Sequence, residues 1–234
     1  MSVIDDLLNF IFDDRGMPLY GEFEAWVRSS RRYRTFAAAY QTKIRAKLKA
    51  ARDEDGLKDL RAELETAMLL LRDSRFMLEY EKYAALKQRG PDFTVIFKTH
   101  TPFNVEVRRI RGLEMNDTDS DARVGKLIAI LCDKVGQMPP SIINLLWLIT
   151  EEAVSLDDLT QAVTTLQRLA ERKDEAFFRQ RGFVNAADFL KQFRQLSGIV
   201  LHQPPGENVI WLNPMARHKT LPDIETAIRR LEAG

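Results

Sequence analysis

The sequence predicts a mixed α/β (α+β) fold, a central sheet flanked by helices with a helical extension at the N-terminus. Three observations lead there. Residues 76–81 alternate apolar and polar with the period of a strand, and the runs at 92–97 and 103–110 are rich in Val, Ile, Phe and Thr. Residues 142–149 form an unbroken apolar run with the length of a strand covered on both faces. Around these runs, apolar residues recur at helical spacing.

In chain order, Val3, Ile4, Leu7, Leu8, Ile11 and Phe12 define a first amphipathic helix over 2–12, capped by Ser2. Arg15-Gly16-Met17-Pro18 breaks it, and a second helix is expected from Glu22 to Arg28. Residues 31–52 read as one long helix with Phe36, Tyr40, Ile44 and Leu48 as its buried stripe. Gly56 is expected to break it, with a new helix over Leu57–Arg72. Three strands then follow, Phe76–Glu81, Asp92–Phe97 and Phe103–Ile110, the last two joined by a turn at Thr99–Pro102 as a hairpin. After a polar loop at 114–121 come a helix from Ala122 to Val135 and the strand Ile142–Ile149. Ser155-Leu156-Asp157-Asp158 reads as a capping box opening a helix to Arg172. Asn185 caps another helix through Phe193, and Ile199–His202 pairs with Val209–Leu212 across Pro204-Pro205-Gly206-Glu207. A last helix starts at Pro222, a favoured first position. Residues 1–56 are thus expected to be a helical extension packing on a core formed by residues 57–234.

The chain has 234 residues, 45% hydrophobic and 29% charged, which is enough apolar material for a substantial core. Its single cysteine, Cys132, excludes an internal disulfide and a cysteine zinc cluster, and lies in an apolar run where it reads as a buried filler. A reducing cytoplasm is the expected setting. The first residues carry acids where an export signal carries bases, and no apolar run reaches the ~20 residues of a membrane span. Net charge is +1, but it is unevenly spread: residues 1–27 hold six acids and one base, residues 28–52 nine Arg or Lys and no acid. Such a block is either a solvated helix face or a phosphate-facing stripe that would involve Arg31 and Arg32. His100, His202 and His218 lack metal-ligand spacing. Trp147 and Trp211 lie in apolar runs and read as core, and Trp26 and Tyr33 as packing residues rather than base-stacking ones.

Three acids carry the chemistry. Glu63 lies on the helix before the strands, Asp92 follows Pro91 at the start of the second strand, and Glu106 lies in the third in the string Val105-Glu106-Val107-Arg108. Glu106 and Arg108, two residues apart on a strand, face the same way about 7 Å apart. A hairpin brings Asp92 beside Glu106, and the preceding helix can place Glu63 over both. Hard divalent cations such as magnesium take this kind of oxygen donor, usually one or two carboxylates plus substrate phosphate.

The order of these elements resembles the PD-(D/E)XK, or restriction-endonuclease-like, nuclease superfamily. A helix glutamate is followed by Pro-Asp on a strand, Glu-x-basic on its partner, then a helix and a strand, over residues 57–149. The resemblance implies a mixed sheet flanked by helices, and hydrolysis of DNA or RNA phosphodiesters with Mg2+ or Mn2+. It implies catalytic roles for Glu63 (or Glu65), Asp92, Glu106 and Arg108, with Asp92, Glu106 and Glu63 as metal ligands and Asp92 bridging. Glu79 and Glu81 are further acids near this face, Glu81 a candidate outer-sphere member. Arg108 stands where the pattern calls for lysine; arginine grips phosphate but stays charged and is a poor base. Lys126 on the following helix is a candidate substitute ammonium. Arg109, Arg111 and Lys126 are candidate phosphate contacts. The expected activity is that of a Mg-dependent endonuclease, with DNA favoured over RNA. The alternative is a catalytically impaired descendant that binds nucleic acid or a protein, as a partner module or a homodimer.

Overall fold

The computed structural model describes residues 2–83, 90–111, 120–150, 154–203 and 208–231. Five helices precede the first strand: α1 (Val3–Ile11), α2 (Tyr20–Ser29), α3 (Arg31–Ala39), α4 (Gln41–Ala50) and α5 (Glu54–Arg72). Strands β1 (Phe76–Tyr80), β2 (Phe93–Phe97) and β3 (Thr101–Arg109) follow, then α6 (Ser120–Val135) and β4 (Ile143–Ile149). The chain continues through α7 (Leu156–Glu171), α8 (Glu175–Gln180), α9 (Ala186–Phe193), β5 (Gly198–His202), β6 (Asn208–Leu212) and α10 (Pro222–Arg229).

The six strands form one sheet in sequence order. β1–β2–β3 is an antiparallel meander, β3–β4–β5 is parallel, and β6 returns antiparallel to β5. Parallel pairs need crossover helices. α6 makes the first crossover, and α7 to α9 the second. Both lie on one face, where Leu127, Leu131, Leu159, Leu166, Phe178 and Phe189 pack on Leu146, Leu148, Ile199 and Leu201. On the other face α1 to α5 and α10 cover Phe76, Phe93, Val95, Phe103, Val105 and Trp147. β4 is buried on both faces, which accounts for its unbroken apolar sequence.

The helical extension and the sheet share one continuous hydrophobic cluster, running from Leu7 and Phe23 through Ile44 and Leu64 to Phe93 and Trp147. Two expectations about it need correction. Residues 31–52 are two helices, interrupted at Tyr40, whose φ of −114° and ψ of 17° leave the helical region. The Tyr40 ring packs on Phe36 at 5.1 Å and on Tyr80 at 5.8 Å, so the Phe36–Tyr40–Ile44–Leu48 stripe survives the break and conceals it in the sequence. Gly56 does not end a helix. It lies in the first turn of α5, where Asp53 caps the helix by accepting from the Gly56 N–H. The short helix α8 was not foreseen. The caps at Ser2, Ser155 and Asn185 and the Pro222 start are as expected. The Pro204–Glu207 turn lies outside the described residues, as does most of the 114–121 loop.

A row of polar residues crosses the sheet. Thr94, Asn104 and Asn144 are register partners on β2, β3 and β4, all buried. Thr94 Oγ1 donates to Asn104 Oδ1 at 3.0 Å, and Asn104 Nδ2 to Asn144 Oδ1 at 2.9 Å. Asn144 Nδ2 in turn donates to the carbonyls of Pro139 and Gln195. Shifting any one of these strands by a residue would bury these amides without partners, so the row fixes register.

Candidate active site

The site lies where the meander meets the parallel half of the sheet. The β2–β3 register, Phe93 opposite Val105, continued by one residue sets Asp92 opposite Glu106. Asp92 Oδ2 accepts from the Val107 N–H at 2.8 Å, and the Asp92 carbonyl accepts from the Glu81 N–H at 2.7 Å. Gly90 lets the chain approach this point closely. A Cβ there would lie 2.5 Å from the Tyr83 ring. Along β3, Val105 and Val107 enter the core beneath α5, while Glu106 and Arg108 point to the α6 face. Glu63 comes from α5. The four residues expected to act together, Glu63, Asp92, Glu106 and Arg108, do line one pocket of about 120 Å³, shared with Arg109 and Lys134.

Two lysines enter the site that the sequence did not single out. Lys134, in the last turn of α6, donates to Glu106 Oε1 at 2.7 Å, and both side chains are about nine-tenths buried. Lys47, on α4, lies 2.5 Å from Glu63 Oε2 and 2.8 Å from Glu81 Oε1. The Tyr80 hydroxyl donates to the same Glu63 oxygen at 2.5 Å. Glu81 has a φ of 46°, which ends β1 and lets its carboxylate meet Lys47 and Lys43 on the α4 side. Lys126, the candidate substitute ammonium, lines the neighbouring cleft, and the ammonium that meets Glu106 is that of Lys134. A signal for it existed: Lys134 sits between Leu131 and Val135, both core positions, and so borders the buried stripe of α6.

Asp92 is the most perturbed acid. Burial, and the adjacent charges of Glu63 and Glu106, push its carboxyl well above the ordinary aspartate range, against the pull of Lys47 and the Val107 N–H. Burial opposes the charge on Lys47, but Glu63 and Asp92 outweigh it and hold the ammonium above its usual range. Burial and the Glu63 charge keep the Tyr80 hydroxyl firmly protonated.

The donor chemistry suits a hard divalent cation, because the acids are carboxylates and a bound cation would offset the repulsion among Glu63, Asp92 and Glu106. The fit is narrower than three ligands. Among the described residues no three Asp, Glu, His or Cys side chains converge as a metal-holding group. Glu63 is engaged by Lys47 and Tyr80. Asp92 and Glu106 are the pair that could hold the ion. Glu65 is turned to Arg61 at 3.1 Å, away from this set.

The candidate phosphate contacts divide. Arg109 pairs with Asp55 and Asp59 of α5, and Arg111 with the same two acids. Lys126 lies with Arg108, Arg109 and Arg111 around a cleft of about 200 Å³ beside the carboxylate pocket. Arg32 is engaged inside the fold, donating to the carbonyls of Leu71, Asp73 and Phe76. Arg31 is exposed on the surface beside it. Much of the basic block 28–52 meets acids or carbonyls of this chain: Arg28 pairs with Asp5 and Glu24, Arg45 and Lys49 with Asp13. Trp147, Tyr33 and Cys132 are core residues, burial pushing the Cys132 thiol up to about 11. No helix among the described residues is long and apolar enough to cross a membrane. Comparison of the chain with family models, with curated proteins and with solved structures gives no match.

Proposed function

We propose that the chain is a nuclease-like protein that hydrolyses phosphodiester bonds of nucleic acid, DNA rather than RNA, with Mg2+ or Mn2+. The observation that carries the reading is the meeting of Glu63, Asp92, Glu106 and Arg108, from a helix and two strands, around one pocket. Water attacks phosphorus, the P–O ester bond breaks, and the leaving oxygen takes a proton. Asp92 and Glu106 would hold the divalent ion, which would supply charge neutralisation and an activated water. Lys134 holds Glu106 in place and puts an ammonium beside the reacting phosphate, where its charge offsets the negative charge that develops. Arg108 stabilises the charge that develops on the phosphoryl oxygens. Glu63, held by Lys47 and Tyr80, sets a fixed negative charge beside Asp92. The test is Mg- or Mn-dependent cleavage of mixed DNA and RNA substrates, with Asp92→Ala and Glu106→Ala as controls. Cleavage that survives both substitutions refutes the assignment.

A second reading has its own observation. Lys47 and Lys134 already neutralise Glu63 and Glu106 from within, as expected of a site that has exchanged its metal for internal ion pairs. The protein would then bind nucleic acid, or a protein, without cutting. Salt-dependent DNA binding, with no heat of Mn2+ binding in calorimetry and no cleavage, selects this reading.

A further inference from the structure

We propose that the cleft between the end of β3 and α6 is a phosphate-binding subsite beside the carboxylate pocket, and that Arg108 serves both. The identity of the phosphate's source, a nucleic acid, rests on the nuclease reading; the binding of the anion does not.

The cleft holds about 200 Å³ and is lined by Arg108, Arg109, Arg111 and Lys126, together with Ala129, Ile130 and Asp133. Asp55 and Asp59 of α5 match the charges of Arg109 and Arg111. Asp133 lies 3.8 Å from the Lys134 ammonium. Arg108 differs from these: among the described residues its side chain makes no ion pair or hydrogen bond, yet the residue is half-buried. A partly desolvated guanidinium without a counter-ion is costly, and a bound anion removes that cost. The Ala129 and Ile130 side chains offer no competing hydrogen bonds. Phosphate suits the planar fork of arginine, which can present donors to two oxyanions from its two edges.

Arg108 lines the carboxylate pocket and the cleft alike. It can therefore bridge the phosphate being cut and its neighbour on the same strand, which a single ammonium could not. This gives a reason for arginine where lysine was expected: the compact cation is supplied by Lys134, and the strand position is free to take a second phosphate. The neighbour can be a terminal phosphomonoester or an internal phosphodiester, and the two sources separate by experiment.

The experiment is calorimetric titration of the full chain, in EDTA, with inorganic phosphate and with short oligonucleotides bearing a 5′-phosphate, a 3′-phosphate or neither. Wild type is expected to bind inorganic phosphate and the oligonucleotides. Arg108→Gln and Lys126→Gln are each expected to weaken both by about ten-fold or more, equivalent to about 1.4 kcal/mol, while Lys191→Gln, on the exposed surface of α9, binds as wild type. Tighter binding of one phosphorylated oligonucleotide supports a terminal source, and equal binding of all three an internal one. Binding by both Arg108→Gln and Lys126→Gln at wild-type strength, with unchanged thermal unfolding, overturns the subsite. So does failure of wild type to bind any of these ligands without metal. Failure of the nuclease reading looks different: metal-dependent cleavage is absent or survives Asp92→Ala, while the loss of anion binding in Arg108→Gln remains.

Discussion

Asp92 is held between two acids and one cation in a partly dry pocket, and its raised pKa has a sign that can be checked. The folded state keeps this proton more tightly than the unfolded chain does. The stabilisation it gives is complete below the ordinary aspartate value of 3.8 and is lost as pH rises through the raised folded value. Asn keeps an oxygen to accept from the Val107 N–H but never ionises. Asp92→Asn is therefore expected to stabilise the protein at pH 8 by about 1 kcal/mol, roughly 2–4 °C in Tm for a chain of this size, and to flatten the loss of stability with pH above the aspartate range. Thermal melts of both proteins between pH 4 and 9 check this; a lower Tm for the variant at pH 8 contradicts it. The buried Lys134–Glu106 pair has the opposite character. Lys134→Met leaves Glu106 charged and without its partner, at a cost of roughly 3–5 kcal/mol. Denaturant unfolding is expected to show that loss, with most of it recovered when Glu106→Leu is added, because the doubly substituted site buries no charge. The sequence disclosed the acids, through Pro91-Asp92 and Val105-Glu106, but not their counter-ions. Lys47 and Lys134 reach the site from α4 and the end of α6, and nothing local in the sequence pairs them with acids 28 or 16 residues away.

At the scale of elements, two devices hold the sheet and its helices together. β1 is an edge strand. Its odd-numbered neighbours Arg75 and Glu81 bond to the β2 side, so Phe76, Leu78 and Tyr80 turn their backbone groups outward. Arg32 caps the Phe76 carbonyl and Lys43 the Tyr80 carbonyl, the latter at 3.0 Å. Unpaired edges invite pairing with other chains, and exposed Met77 adds apolar surface here. Arg32→Ala together with Lys43→Ala is expected to promote self-association in sedimentation velocity; an unchanged sedimentation coefficient across concentrations contradicts this role. On the opposite face, Asp158 closes the α7 capping box with Ser155 and also accepts from Ser120 and Arg123 of α6. Burial opposes its charge, but these bonds prevail and lower its pKa to about 2. A depressed carboxylate stabilises above its unfolded value and loses that contribution as pH falls toward 2. Asp158→Ala is expected to cost about 2 kcal/mol at pH 7, with the deficit shrinking between pH 4 and 2. An equal deficit at pH 7 and pH 2 contradicts the linkage. The capping box was legible in Ser155-x-x-Asp158. Its link to α6 was not, because Ser120 and Arg123 are distant in sequence. The break at Tyr40 was hidden for another reason: an apolar stripe at every fourth residue constrains which face is buried and says little about whether the axis continues.

In the whole molecule, the N-terminal helices and the sheet share one continuous hydrophobic cluster. The acid-rich first 27 residues and the basic block after them face one another in pairs such as Arg28–Asp5 and Arg45–Asp13. The charge asymmetry that hinted at a phosphate-facing stripe is thus largely answered within the chain. The strand and helix order from 57 to 149 was readable because period-two and period-3.6 patterns are local. The six-stranded order and the polar row through Thr94, Asn104 and Asn144 depend on pairing between distant segments, and buried amides in a strand look like ordinary surface positions until the partners are known. What the whole arrangement achieves is one polar pocket at the junction of the meander and the parallel strands, with a basic cleft beside it. The most direct test of the account is the rate of Mg2+- or Mn2+-dependent phosphodiester cleavage by wild type and by Asp92→Asn on single- and double-stranded DNA and RNA. The account predicts metal-dependent cleavage, strongest on DNA, that falls by about 10²-fold or more in the variant although the variant is the more stable protein. Equal rates for the two proteins, or no cleavage of any substrate by wild type with either metal, would contradict it.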